Sequence, residues 1–363
     1  MSLTKSAALS ALLATGTVLI APQAQAQDLK PVTIAVGTSV LNVGYPMLTL
    51  PLTLGYWESE GYKVAVEPVG ASLQAVQQMV AGNADFAQVN ASVIVQSNVT
   101  NNLPVRVAMA NGVVDWSIAV PAESDIQGPA DLKGKTIGVF SLATGGIPLM
   151  KSYLTENGLN PDSDISMIPL GLGAAPVQAL RRGQVDALLY WASATAGFEN
   201  AGLELREIIP PDWRQYPDYS LSVMQAKADS DPDMVVAIAK GIAKATVYAL
   251  ENPECAVKLH WERYPETKPS GADEATLLQW DLNNINAQLA TLQDGFKLNG
   301  GTHWGAVDPA GFQRLQAFLQ EAGIIKGEIP PQNYLLSIPD FEQRVNDFDA
   351  EEIRAKAQTC EVG

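Results

Sequence analysis

A repeat constrains this chain more than any single motif does. At an offset of about 101 residues, Thr33-Ile34-Ala35-Val36 recurs as Thr136-Ile137-Gly138-Val139, and Pro68-Val69-Gly70 recurs as Pro169-Leu170-Gly171. Val76-Gln77 matches Val177-Gln178, Gly82-Asn83-Ala84-Asp85 matches Gly183-Gln184-Val185-Asp186, and Ala91-Ser92 matches Ala192-Ser193; Pro46 and Pro148 correspond at the starts of the next helices. A chain built twice from one unit forms a solenoid only when copies are many, so two copies predict two similar lobes facing one another. The length of 363 residues agrees, being too great for one ordinary core.

Within each copy the residues alternate between strand and helix patterns. Val32 to Val36 is a β-branched run, Pro46 to Gly55 has helical spacing and ends on Gly, and Tyr62 to Val66 is again a strand. A helix over 73–81 stops at Gly82, before a third strand from Asp85 to Val89. Alternation of this kind predicts an α/β fold in which the repeated strands run parallel. Val113 to Val120 and Tyr219 to Gln225 read as two strands that carry the chain between lobes, so the sheets are expected to be mixed. The first lobe is expected at 28–119 plus 221–363, where the return is mostly helical, and the second at 120–220.

The N-terminus indicates the compartment. Lys5 precedes a nearly uncharged stretch from Ser6 to Ile20, then Pro22 and the small-residue triplet Ala24-Gln25-Ala26. An apolar run of roughly 14 residues is short of the ~20 that span a bilayer, and its flanks are those of a secretory signal peptide, expected at 1–26 and cleaved after Ala26. A chain delivered to the periplasm meets oxidising conditions, and its two cysteines, Cys255 and Cys360, are expected to pair.

Composition removes other classes of function. With 23 Lys and Arg against 39 Asp and Glu the net charge is -16, which leaves no basic stripe for nucleic acid. Two Cys and two His, well separated, do not make a zinc cluster, and no cofactor is expected. His260, His303, Arg181 and Arg182 read as structural or solvated, and Asp85 and Asp186 as residues that fix the turn into the third strand.

Several segments resemble a known family. Tyr56-Trp57-Glu58 with Gly61, Gly82 with Asp85, Leu132-Lys133-Gly134-Lys135-Thr136-Ile137-Gly138-Val139, and Arg182-Gly183-Gln184-Val185-Asp186-Ala187 are similar to periplasmic solute-binding proteins of ABC importers. Among these the nitrate, sulfonate, taurine and thiamine-pyrimidine-precursor-binding group is nearest, over about residues 31–225. The resemblance implies a type II periplasmic binding protein fold, a cleft that closes on a solute, and permease subunits in the membrane as partners of a monomer. One relative of this fold is an enzyme that consumes its own His, but the lobe loops here contain none, so an enzyme is not expected.

Ligands of parallel sheets lie beyond the carboxyl ends of the strands, which directs attention to the loops after each repeated strand. After the first strands come Ser39, Asn42, Gly44 and Tyr45 in one lobe and Ser141, Thr144 and Gly145 in the other, donor-rich loops that lead into helices and suit an anion. The third loops supply Asn90 and Ser92, and Tyr190 and Trp191, while Trp116 sits beside the first crossing. The aromatic residues among them are candidates for stacking on the ligand. Family members often follow the residue equivalent to Trp191 with an acid and Pro, where this chain has Ala192-Ser193. The expectation is a small anionic ligand, an aromatic or alkyl carboxylate or sulfonate; taurine or a pyrimidine precursor is the alternative, with Asp115 as the residue that could partner an amine. A receptor feeding a sensor is the other reading of the same fold.

Overall fold

In the computed structural model, which describes residues 28–362, the two copies fold as the same succession of elements. The first runs β1 (Lys30–Val36), α1 (Pro46–Thr53), β2 (Tyr62–Pro68), α2 (Ser72–Val80), β3 (Phe86–Val89), α3 (Ala91–Val99) and β4 (Val105–Val113), and β5 (Trp116–Pro121) leaves it. The second runs β6 (Thr136–Val139), α4 (Gly146–Glu156), β7 (Ser166–Pro169), α5 (Ala174–Arg181), β8 (Ala187–Trp191), α6 (Ala192–Asn200) and β9 (Leu205–Ile208), and β10 (Pro217–Met224) leaves it. The signal peptide expected at 1–26 lies outside the described residues.

Two five-stranded mixed sheets result, in the orders β2-β1-β3-β10-β4 and β7-β6-β8-β5-β9. The three repeated strands of each are parallel, and the fourth strand runs antiparallel to its neighbours. That fourth strand comes from the other half of the chain: β5 follows the first copy but pairs in the second sheet, and β10 does the converse. The exchange forces two crossings, at 114–115 and at 209–216. The single strand read over Val113 to Val120 is therefore two, because its ends belong to different sheets. Pro148 is the third residue of α4 and does not open it as Pro46 opens α1.

The repeated Gly-x-x-Asp turns have one job in both lobes. Gly82 and Gly183 take φ of +76° and +63°, the left-handed ending that glycine tolerates. Three residues on, Asp85 Oδ2 accepts from the Thr33 N–H at 2.9 Å, and Asp186 Oδ2 accepts from Thr136 N–H at 2.8 Å. Each aspartate thus ties the third strand to the start of the first.

The return adds α7 (Gln225–Ser230), α8 (Pro232–Glu251), α9 (Pro253–Arg263), α10 (Glu274–Leu298), α11 (Pro309–Glu321), α12 (Phe341–Val345) and α13 (Ala350–Gln358). Helix α8 covers the first lobe's core, where Trp57 is buried and its Nε1 donates to Ile238 O at 3.0 Å. Helix α10 touches both lobes. Gly295 lies against the backbone of Gly112 in β4. On the other side Asn283 Nδ2 donates to Asn200 Oδ1 at 2.8 Å, and Asn200 Nδ2 donates to Trp280 O at 2.8 Å, at the end of α6. Cys255 and Cys360 form a disulfide with Cα atoms 5.6 Å apart and 105 residues between them in sequence. Closing so long a loop stabilises a fold by about 2–5 kcal/mol.

Candidate functional site

The crossings place a second, shorter repeat at the cleft. Asp115-Trp116-Ser117 starts β5, and Asp218-Tyr219-Ser220 occupies the same place in β10. Each aspartate is buried at the first N–H of its lobe's third helix. Asp218 Oδ1 accepts from Ala91 N–H at 2.6 Å, and its Oδ2 accepts from Asn90 Nδ2 at 2.9 Å. Asp115 faces the Ala192 N–H and accepts from Thr291 Oγ1 at 3.3 Å. Burial raises both carboxyls, Asp115 to about 6 against the pull of Arg214 and the Ala192 N–H, and Asp218 to about 7. The Arg214 guanidinium braces the first crossing by donating to the carbonyls of Val114, Asp115 and Trp116.

The aromatic residue of each triplet turns into a closed space between the lobes. This cavity, about 30 Å³, holds a water or two. Tyr45, Trp116, Trp191 and Tyr219 form its apolar walls, and Gly37, Asn90, Asp115, Thr144 and Gln288 complete it. Tyr45 and Tyr219 rings are 5.8 Å apart, and Trp116 meets Trp191 edge-on at 5.4 Å. Tyr219 is held at φ +46°, a left-handed conformation that costs a non-glycine residue about 1–3 kcal/mol. That strain directs its ring inward while its carbonyl accepts from Gln88 Nε2 at 2.8 Å.

Three donors on this cavity have no partner among the described residues: Trp116 Nε1, Tyr219 Oη and Gln288 Nε2. A buried donor left unmade costs about 1–3 kcal/mol, and native folds rarely carry several at one place without a use. Burial pushes Tyr45 up to about 12 and Tyr219 well above 10, so both phenols stay protonated and able to donate at any ordinary pH. Three free donors and one carboxylate, walled by rings, can hold a small molecule that is rich in acceptors.

Of the residues expected from sequence, the structure brings Tyr45, Asn90, Trp116, Thr144 and Trp191 together on the cavity. The remaining seven lie elsewhere. Ser39 is exposed, Asn42 Oδ1 accepts from Gly44 N–H at 3.0 Å within its own loop, and Ser141 Oγ accepts from Ala143 N–H at 3.2 Å. Tyr190 turns away and donates to Gly171 O at 2.7 Å, packed edge-on to Phe198. Gly44, Ser92 and Gly145 lie where the lobes touch: Ser92 Oγ donates to Gly145 O at 2.9 Å, and Gly44 packs on Ser193. Neither α1 nor α4 has a side-chain cap, so the loop hydroxyls do not serve their own helices either. Gly37 and Gln288 escaped the sequence reading altogether. Gln288 comes from α10, outside both copies of the repeat, and nothing in its sequence context marks it.

A model of one protein family, described as NMT1/THI5 like, matches residues 48–256, more than half of the chain. The chain belongs to the NMT1/THI5-like family. No curated protein matches it. Solved structures share the fold of this NMT1/THI5-like chain. A protein from Bordetella bronchiseptica RB50 is 22% identical with a TM-score of 0.67, over 88% of this chain and 98% of that one. The periplasmic aliphatic sulphonate binding protein SsuA from Escherichia coli is 14% identical with a TM-score of 0.57, over 84% and 97%. The desulfurization enzyme DSZB, in complex with biphenyl-2-sulfinic acid, is 16% identical with a TM-score of 0.57, over 88% and 99%. The NMT1/THI5-like chain thus has the α/β, two-lobed periplasmic binding protein fold that its repeat and its sequence resemblance imply.

Proposed function

We propose that this chain is the extracytoplasmic solute-binding component of an ABC importer and captures a small organic anion, a carboxylate or sulfonate, between its lobes. The observation that carries this reading is the convergence of three unpartnered donors, Trp116 Nε1, Tyr219 Oη and Gln288 Nε2, on one enclosed interlobe cavity. Tyr45, Asn90, Thr144 and Trp191 complete the contacts in this reading. A sulfonate-binding protein among the fold neighbours supports it. The small closed volume favours a compact alkyl body over an aromatic one, which would need the ring walls displaced.

In this account the mature chain starts after Ala26 and acts in the periplasm as a monomer. Its lobes are 28–119 with 221–363, and 120–220; they part and close about the two crossings, and the closed form is what permease subunits recognise. It acts as a binder and not as an enzyme: both cysteines are tied in the disulfide, and the cavity presents no imidazole.

Native mass spectrometry of the purified protein, followed by a thermal-shift screen of alkanesulfonates, short carboxylates, aromatic anions, taurine, pyrimidines and nitrate, tests the reading. A ligand at a hundred times its Kd stabilises by about 2.7 kcal/mol. A shift by at least one organic anion is expected, and no shift across the panel would contradict capture.

A further inference from the structure

The two lobes serve as controls for each other, and they differ at one pair of equivalent positions. In the first lobe Asp218 is fully satisfied inside the protein, by the Asn90 amide and the Ala91 N–H. Asp115 occupies the matching place at the start of α6, but the residue equivalent to Asn90 there is Trp191. Its indole packs edge-on against Trp116 and Phe140 instead of donating to the acid. Asp115 is left with the Ala192 N–H and a long 3.3 Å bond from Thr291, and unlike Asp218 it lines the cavity.

A plain carboxylate or sulfonate bound by the three free donors sets its charge beside Asp115, in a closed space where like charges repel strongly. A solute that also offers an N–H turns this repulsion into a charge-assisted hydrogen bond. We propose that Asp115 is the specificity-determining residue of the cavity, accepting from an N–H of the solute, so that the captured molecule is a compact organic anion that also bears an ammonium or amino group. This rests on the capture reading above and narrows it.

The acid must be ionised to play this part. The groups facing it are the Arg214 guanidinium, the Asp218 carboxylate, the neutral phenols of Tyr45 and Tyr219, the Thr291 hydroxyl and the Ala192 N–H. Burial brings its titration to about 6, so protonation is within experimental reach. Affinity for an aminated anion is expected to fall as pH drops from about 7.5 to about 5, and affinity for a plain anion to rise.

Isothermal titration with two matched pairs, taurine against propane-1-sulfonate and β-alanine against butyrate, on the mature protein and on Asp115→Asn, tests the assignment. The wild-type protein is expected to bind the aminated member about tenfold or more tighter in at least one pair, since a buried charged acceptor left unpaired is costly. Asp115→Asn is expected to abolish that preference while keeping or improving the plain member. Equal or tighter binding of the plain members by the wild-type protein, or a preference that survives in Asp115→Asn, overturns the proposal. If that variant does not fold, the wild-type pH slopes decide, and slopes of the same sign for both members of a pair overturn it. No binding by any of the four compounds also overturns it; the capture reading then stands only if another anion of the wider panel binds.

Discussion

Ser92 Oγ donates to the carbonyl oxygen of Gly145 at 2.9 Å, joining the first turn of α3 in one lobe to the start of α4 in the other. The pseudo-symmetric counterpart is Gly44, where an added Cβ would stand 3.0 Å from Ser193 Oγ. In each lobe a glycine of the first loop thus meets the third-loop serine of the opposite lobe. The closed arrangement depends on the glycines: a Cβ at Gly145 would overlap the Asn90 side chain. Its backbone, at φ −68° and ψ −17°, is one that alanine adopts freely.

Gly145→Ala is therefore expected to fold with nearly unchanged stability and to close poorly. Ligand affinity should drop about tenfold or more, because binding energy is diverted to pushing Asn90 aside. Titration calorimetry beside urea unfolding separates the two effects. An affinity within about twofold of wild type would show that the contact at Gly145 is not part of the liganded state.

Three buried acids set the pH dependence of the ligand-free protein. Burial raises Asp115 to about 6, Asp218 to about 7 and Asp281 to about 6. The folded chain holds these protons where the unfolded chain, with ordinary values near 3.8, has lost them, so stability falls as pH rises from about 4 to about 7. His260 acts in the opposite sense: burial lowers it from 6.5 to about 4, so its neutral ring favours folding as pH rises through that window. Three groups outweigh one, and the Tm at about pH 5 is expected above that at about pH 7.5. Asp218→Asn should flatten the slope, and a Tm that climbs steadily toward pH 7.5 would contradict the assignment.

The fold was legible because its signals are local and occur twice. Gly82 and Asp85 recur as Gly183 and Asp186, and each pair performs the same turn and the same bond to the first strand. The site was legible only in part. Asp115-Trp116-Ser117 and Asp218-Tyr219-Ser220 stand about 103 residues apart, out of step with the main offset, and the crossings exchange lobes between them. Loop hydroxyls such as Ser39 and Ser141 have the composition of an anion site whichever way they face. Tyr219 owes its place to a backbone at φ +46°, which no neighbouring residue announces.

Packing beneath α8 makes a separate prediction about stability. Gly241 lies under the buried Trp57 indole, and a Cβ there would overlap its Nε1. Alanine is favoured over glycine by about 1 kcal/mol in a helix, yet Gly241→Ala is expected to destabilise by about 1–3 kcal/mol because the indole must leave its bond to Ile238 O. Urea unfolding measures this directly, and a stabilised variant would mean that Trp57 can shift without loss.

Closure on a solute is the central claim, and small-angle scattering tests it most directly. Profiles would be recorded for the free protein and at saturation with whichever anion gives the largest thermal shift. The account predicts that the free protein is more extended and that ligand contracts it to the profile calculated from the closed arrangement, with Ser92 bonded to Gly145 across the cleft. Identical profiles with and without a bound ligand would contradict it.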